Sequence, residues 1–395
     1  MAAQGGFEEL LGRVTTYPAR VEALGGSLLT NLAMVAEIPA PTFHESARAQ
    51  FLRDRLTEVG YQSCHIDAQG NVAALLPGSD EGTGEDAAPT PLLVAHLDTP
   101  AAGDLDHTVS LAPESAHGVA VADNALGVAA LASLPAVLEE LDVQPPGQIA
   151  VLASTGGLGD GDIRGLRFFL AHTDLAIDFG ICVEGVQLGR LSHGSVGMIR
   201  GAITCRAPAD EQPTAFGSAG AIPTLNEVID GILALPMPAR PKTSVVLSQV
   251  RGGSPSIRPA ASATVHFVVR SEAGRQVTSL VRRINEIVAE VDAASAATVE
   301  LNIVGRRQPG GLPFDHPLVA RTHRIMRRLE LQPHLTPSTS ELAAFISEGV
   351  PAITLGMSFG HDVGTDKERV SIDAMYTGVA QLVAVIEAIE AGYCR

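Results

Sequence analysis

Four strand-length runs, LLVAH at 92–96, QIAVLAS at 148–154, FGICVE at 179–184 and PAITLG at 351–356, are apolar nearly throughout, and segments of helical spacing lie between them. A strand without a polar face is buried on both sides, and strands that alternate with helices form a largely parallel sheet covered by helices. The alternation therefore predicts an α/β fold, a parallel-rich sheet with helices on both faces.

Helical spacing marks about 21–38 and about 42–59, with Thr42 as the capping candidate ahead of His44-Glu45. Short β-rich runs follow at 62–66 and 72–76, and GSDEGTGEDAAPT then reads as an exposed loop. After Asp123, AVADNALGVAALASLPAVLEEL has helical spacing. The texture changes near His193. From there the order is strand, Pro-rich loop, helix (221–235), two strands (the second 263–270), helix (279–291) and strand, which is an α+β unit in its own right. After QPGGLP the first texture returns, with helices near 317–329 and 340–348, the strand PAITLG and a last helix to Glu390. The organisation expected is a nested insertion: residues 1–195 and 306–395 form one domain, and 196–305 a second placed inside it.

Composition excludes several functions. Apolar residues are 46% and charged residues 18%, so the chain buries a large core. Its net charge of −17 repels a phosphate backbone, which argues against nucleic acid as a partner. Cys64, Cys182, Cys205 and Cys394 are widely spaced and read as buried thiols in a reducing compartment. The first residues carry Glu8 and Glu9 and no basic segment followed by an apolar one, unlike a signal peptide. Residues 118–138 are apolar but interrupted by Asp123 and Asn124, so no membrane span is expected and a cytoplasmic location is.

Chemistry gathers at strand ends. LLVAHLDTP places His96 and Asp98 where a parallel sheet usually presents ligands. AVADNALGV sets Asp123 and Asn124 between apolar runs at a helix start, where carboxylates cap the helix or bind a cation. FGICVEGV puts Glu184 at the end of a third apolar strand, where a lone carboxylate is costly to desolvate. One imidazole and two carboxylates make a nitrogen and oxygen donor set suited to zinc or a similar ion.

In order, HLDTP, ADNALG, STGGLGDGDIRG, VEGVQLGRL, and GVPAITLG leading to TDKERVSI resemble the dinuclear zinc exopeptidases that include peptidase T, carboxypeptidase G and the aminoacylases. The resemblance spans nearly the whole chain. It implies an α/β catalytic domain interrupted by an α+β lid that often makes a dimer contact, and hydrolysis of a peptide or N-acyl amide bond beside a free terminus or carboxylate. It also implies His96, Asp123 and Glu184 as metal ligands and Asp98 as the carboxylate that orients His96.

Several positions depart from that pattern. Where the family carries TVGEEGLGDLRG, this chain carries STGGLGDGDIRG, so Gly157 stands at the general-base position and Leu158 at a ligand position. GTDKE replaces HTxxE, which puts Gly364 at another ligand position, with His361 three residues upstream. In the lid, APADEQP replaces GPAGHSW and places Glu211 where the family has an oxyanion-stabilising histidine; RGGSPSIRP places Ser256 where it has a substrate-contacting asparagine. Arg270 matches the family arginine at the end of a lid strand, and TPSTSELAAF supplies Ser340 and Glu341 in place of a GGSDA-like loop. Loss of a general base costs about 10²- to 10⁴-fold, and loss of an oxyanion donor about 10²- to 10³-fold.

The resemblance thus implies one complete metal position and one dismantled position. The function expected is a non-peptidase descendant that binds at most one zinc or similar ion, or none, and acts in binding, regulation or assembly. The alternative is an active metal-dependent amide hydrolase, of dipeptidase, aminopeptidase or aminoacylase type, whose site is mononuclear or rebuilt with Asp160, Asp162 or His361. A homodimer formed through the lid, and a protein partner or a small peptide or N-acyl ligand, complete the expectation.

Overall fold

In chain order the first helices are α1 (Ala2–Val14), α2 (Tyr17–Glu22), α3 (Gly25–Ala36) and α4 (Ser46–Glu58), in a computed structural model that describes residues 2–79, 88–208, 220–253 and 259–395. The helix expected at 21–38 is two helices, because the chain turns at Ala23 and Leu24. The next begins at Ser46 after Glu45, not at Thr42, whose hydroxyl donates to Asp98 at 2.8 Å instead of capping.

Next come β1 (Gln62–Ile66), β2 (Val72–Leu76), β3 (Pro91–His96), α5 (Leu126–Glu140), β4 (Ile149–Ser154), α6 (Arg164–His172), β5 (Phe179–Val186) and β6 (Leu191–Ser192). Most of the loop expected at GSDEGTGEDAAPT lies outside the described residues. The chain continues through β7 (Gly197–Arg206), α7 (Ala221–Leu233), β8 (Thr243–Gly252), β9 (Ser262–Ser271), α8 (Gly274–Ala294) and β10 (Thr298–Arg307). It returns with α9 (Pro317–Arg328), α10 (Leu342–Glu348), β11 (Ala352–Ser358) and α11 (Ile372–Glu390). Two compact units result, Met1–Gly194 with Gly311–Arg395, and Ser195–Gly310.

The first unit holds a seven-stranded sheet in the order β1-β2-β4-β3-β5-β11-β6. Its four central strands are parallel, with Val94 opposite both Leu152 and Cys182, and Thr354 opposite Cys182. The outer strands run antiparallel. The strands read as apolar throughout are the central ones, and every residue of β3, β4 and β11 is buried. One face packs against α3, α5 and α11 through residues such as Leu28, Leu32, Leu131, Val379 and Ile386. The other packs against α6 and α10 through Leu166, Phe169, Leu342 and Phe345. The stretches 121–140 and 372–390 are long and apolar enough to cross a bilayer, but most of each is buried in this core.

The second unit is an antiparallel sheet in the order β8-β9-β7-β10 with one apolar face. Ile203, Val265, Phe267 and Val269 alternate toward Leu225 and Val228 of α7 and Leu280 and Ile284 of α8. Such one-sided burial is what an antiparallel sheet with two helices on one face requires.

Glu390, at the end of α11, is buried and accepts the Gly147 N–H through Oε2 at 2.8 Å. Burial pushes its carboxyl from 4.5 up to about 7. An acid whose pKa is higher folded than unfolded costs nothing well below pH 4.5, where both states are protonated; its cost builds as pH rises from about 4.5 to about 7 and is complete above that. Glu390→Gln is therefore expected to raise the melting temperature at pH 8 and leave it nearly unchanged at pH 4.5. An equal effect at both pH values in thermal unfolding would contradict this assignment.

Candidate metal centre

Parallel pairing sets β3 and β5 side by side and brings His96 and Glu184 to the same edge of the sheet. The third group, Asp123, comes from the turn 121–125 that precedes α5. Two side chains hold this turn. Asn124 donates to the Val183 carbonyl at 2.8 Å and accepts the Gly185 N–H at 2.7 Å, which fastens the turn to β5. Glu368 accepts the N–H groups of Ala122 and Asp123 through Oε1 and that of Gly364 through Oε2, at 2.6, 3.1 and 2.7 Å. The approach is so close that a Cβ at Gly185 would lie 2.0 Å from the Ala122 carbonyl oxygen.

His96 Nε2 lies 3.0 Å from Asp123 Oδ1, and one donor atom each from His96, Asp123 and Glu184 fall within 4.8 Å of one another. His96 Nδ1 is 2.8 Å from the Asp98 carbonyl oxygen. Because a carbonyl only accepts, Nδ1 carries a proton, and Nε2, facing Asp123, is the nitrogen turned toward the cluster. Asp98 thus orients His96 mainly through its backbone. Its carboxylate Oδ1 is 3.5 Å from Nδ1 and accepts the Gly157 N–H at 3.0 Å, while Oδ2 accepts the Leu158 N–H and the Thr42 hydroxyl, both at 2.8 Å.

Burial alone would lower the His96 pKa, but the hydrogen-bonded carboxylates of Asp123 and Asp98, with Glu341 behind them, hold it well above the ordinary histidine value. For Asp98 and Asp123 burial acts upward, and the imidazole outweighs it so that both sit below the usual carboxylate range. Beneath them Arg48 is fully buried, and burial brings its guanidinium down to about 10 against the opposing pull of Asp98 and Glu45. It donates to the carbonyls of Ile38 and Leu97, and Leu97 lies between His96 and Asp98. Glu45 accepts the Gly156 N–H at 2.8 Å.

The remaining predicted residues divide clearly. Gly157 and Leu158 contribute N–H groups to Asp98 and no carboxylate. Asp160 is exposed, Asp162 pairs with Arg167 at 3.3 Å, and His361 is exposed on the two-residue strand Gly360–His361; none of the three joins the donor cluster. Gly364 faces Glu368 through its N–H. Arg270 is exposed on β9, in the other unit. Glu211 and Ser256 lie outside the described residues. Ser340 donates to Glu184 Oε1 at 2.9 Å, and Glu341 is buried immediately before α10.

Sequence reading missed Glu368, Glu45 and Arg48. Arg48 left a signal, since it falls in helical register with Leu52 and Leu56 on the buried face of α4. The donor chemistry, one imidazole nitrogen and two carboxylates, suits zinc or a similar divalent ion. Asn124→Ala leaves the Val183 carbonyl and the Gly185 N–H unpaired in a buried place and is expected to cost about 2–4 kcal/mol. Chemical denaturation reads this directly, and a loss below about 1 kcal/mol would mean that other groups hold the turn.

Residues 92–388 match the sequence profile of peptidase family M20/M25/M40. Among curated protein sequences, none matches the chain. Solved structures with the same fold include the aminopeptidase PepT of Bacillus cereus, at 16% identity and a TM-score of 0.69 over 92% of this chain and 98% of that one. The dipeptidase Dug1p of Saccharomyces cerevisiae is similar at 12% identity and a TM-score of 0.75, over 95% and 98%. The YXEP protein of Bacillus subtilis, described as a dinuclear metal-binding peptidase, is similar at 13% identity and 0.64, over 93% and 99%.

Proposed function

The chain belongs to peptidase family M20/M25/M40, and on that premise we propose that it is a metal-dependent hydrolase of a peptide or N-acyl amide bond, working from a single-ion site. The observation that carries this reading is the convergence of His96, Asp123 and Glu184 within 4.8 Å, with His96 Nε2 aimed into the cluster. Three protein donors with an open position are sufficient for a catalytic ion. A divalent ion bound there supplies Lewis-acid polarisation of the scissile carbonyl and makes water more acidic.

The residues around the cluster have separable tasks. The Asp98 carbonyl fixes the proton on His96 Nδ1, Ser340 orients Glu184, and Glu368 with Asn124 sets the turn that carries Asp123. Pro100, Leu105, Val119, Thr365 and Glu368 help line a neighbouring cavity of about 170 Å³. A space of that size suits one small substrate side chain, in keeping with a dipeptide or N-acyl amino acid. The family description and the peptidase names of PepT and Dug1p support the same substrate class.

One observation favours a second reading, a metal-binding protein without hydrolysis: neither Gly157 nor Leu158 brings a carboxylate to the site. Zinc content and turnover separate the two. After zinc loading and desalting, about one ion per chain is expected, lost in His96→Ala. Dipeptides and N-acyl amino acids should be turned over by the loaded protein and not by His96→Ala or Asp123→Ala. One retained ion without turnover of any amide would select the second reading, and no retained ion would remove both.

A further inference from the structure

A cavity of about 330 Å³, larger than the one beside the Asp123 turn, lies on the sheet face that α6 and α10 cover, and His65, Ala73, Ala150, Phe168, His172 and Asp174 are among its walls. Ala150 is the second residue of β4, whereas Ser154, the last, pairs with His96. Four residues of strand, roughly 13 Å, thus lie between this part of the cavity and the donor cluster. The space arises from side-chain size. On the same face Leu92, Val94 and Leu152 fill the core, while Ala73 and Ala150 bring single methyl groups, and α6 is nine residues long and ends at His172.

The polar groups of the lining are acceptors. His65 Nδ1 is 2.8 Å from the Ser63 carbonyl oxygen, and His172 Nδ1 is 2.8 Å from that of Phe168. Each Nδ1 therefore carries a proton, and the neutral ring keeps a lone pair on Nε2. Asp174 is exposed, with no hydrogen bond or ion pair among the described residues. Asp67, also in the lining, accepts the Gln69 and Asn71 N–H groups. No lysine or arginine is among the described residues that line the cavity. Phe168 and His172 stack with ring centroids 4.1 Å apart, and aromatic faces attract cations. The net charge of −17 draws cations to the whole molecule as well.

We propose that this cavity is a binding site for an organic ammonium ion, a primary amine carried by one apolar group about the size of a benzene ring. The apolar group rests on Ala73, Leu75 and Ala150, and the ammonium N–H groups meet the imidazoles and Asp174. An anion of the same shape meets only lone pairs and negative charge, and an uncharged one lacks the Coulomb attraction. The site stands apart from the candidate metal centre and needs no ion there.

Calorimetric titration of the full-length protein with 2-phenylethylamine, at a pH where the amine is charged, tests this. Saturable binding is expected, with 2-phenylethanol and 3-phenylpropionate weaker by about tenfold or more. Asp174→Asn is expected to weaken the amine by about two- to fivefold. Ala73→Leu fills the space from the sheet side and is expected to abolish binding while the melting temperature holds or rises. Asp174→Asn changes only an exposed group, so the test stays open whatever Ala73→Leu does to the fold. Absence of amine binding would overturn the proposal. Equal affinity for amine, alcohol and acid would overturn the ligand class, and undiminished binding in a folded Ala73→Leu protein would place the amine elsewhere. A self-association that Ala73→Leu abolishes, in sedimentation without amine, would give this surface to a second copy of the chain instead.

Discussion

Asp98 is the knot of this site. Its carboxylate gathers two N–H groups of the glycine-rich turn and the Thr42 hydroxyl, while its carbonyl fixes the far side of the His96 ring. A buried carboxylate with three donors is stable only when all three are present, so the strand end, the turn and the loop before α4 specify one another. Arg48 completes the arrangement from below. Its buried charge lies near Asp98 and Glu45 and is divided among backbone carbonyls, including the one between His96 and Asp98. The candidate donors are therefore positioned by a polar layer that is itself largely built from backbone groups.

The fold was legible because its strongest signal is local. Runs such as LLVAH and PAITLG have no polar face, and the structure places them in the middle of the sheet, where both faces are covered. His96, Asp123 and Glu184 were legible for a related reason, since charged groups at the ends of apolar strands are conspicuous. Boundaries were less so. Thr42 has the chemistry of a helix cap, yet a buried carboxylate is the stronger acceptor partner for its hydroxyl. Glu368 was harder still, because it lies far along the chain from the groups it holds, and only the assembled sheet brings it near them.

The glycine-rich segment 156–161 shows how backbone and side chain can exchange roles. In the pattern that the sequence resembles, this turn brings carboxylates to the metals; here it brings N–H groups to Asp98. A turn of donors holds the residue that stands behind His96, so residue identity at one aligned position is a poor guide to what this turn does.

The clasp that Glu368 makes on the Asp123 turn joins residues separated by the whole inserted unit. β11, which completes the sheet beside β5, also comes from that distal part of the chain. During synthesis the three donors emerge long before the residues that hold them in place. At about 5–20 residues per second, the interval between Glu184 and Glu368 is on the order of ten to forty seconds. A nascent chain in that interval carries the three candidate donors without their frame, and the ribosome therefore sets the earliest moment at which they can be held together as they are in the finished protein.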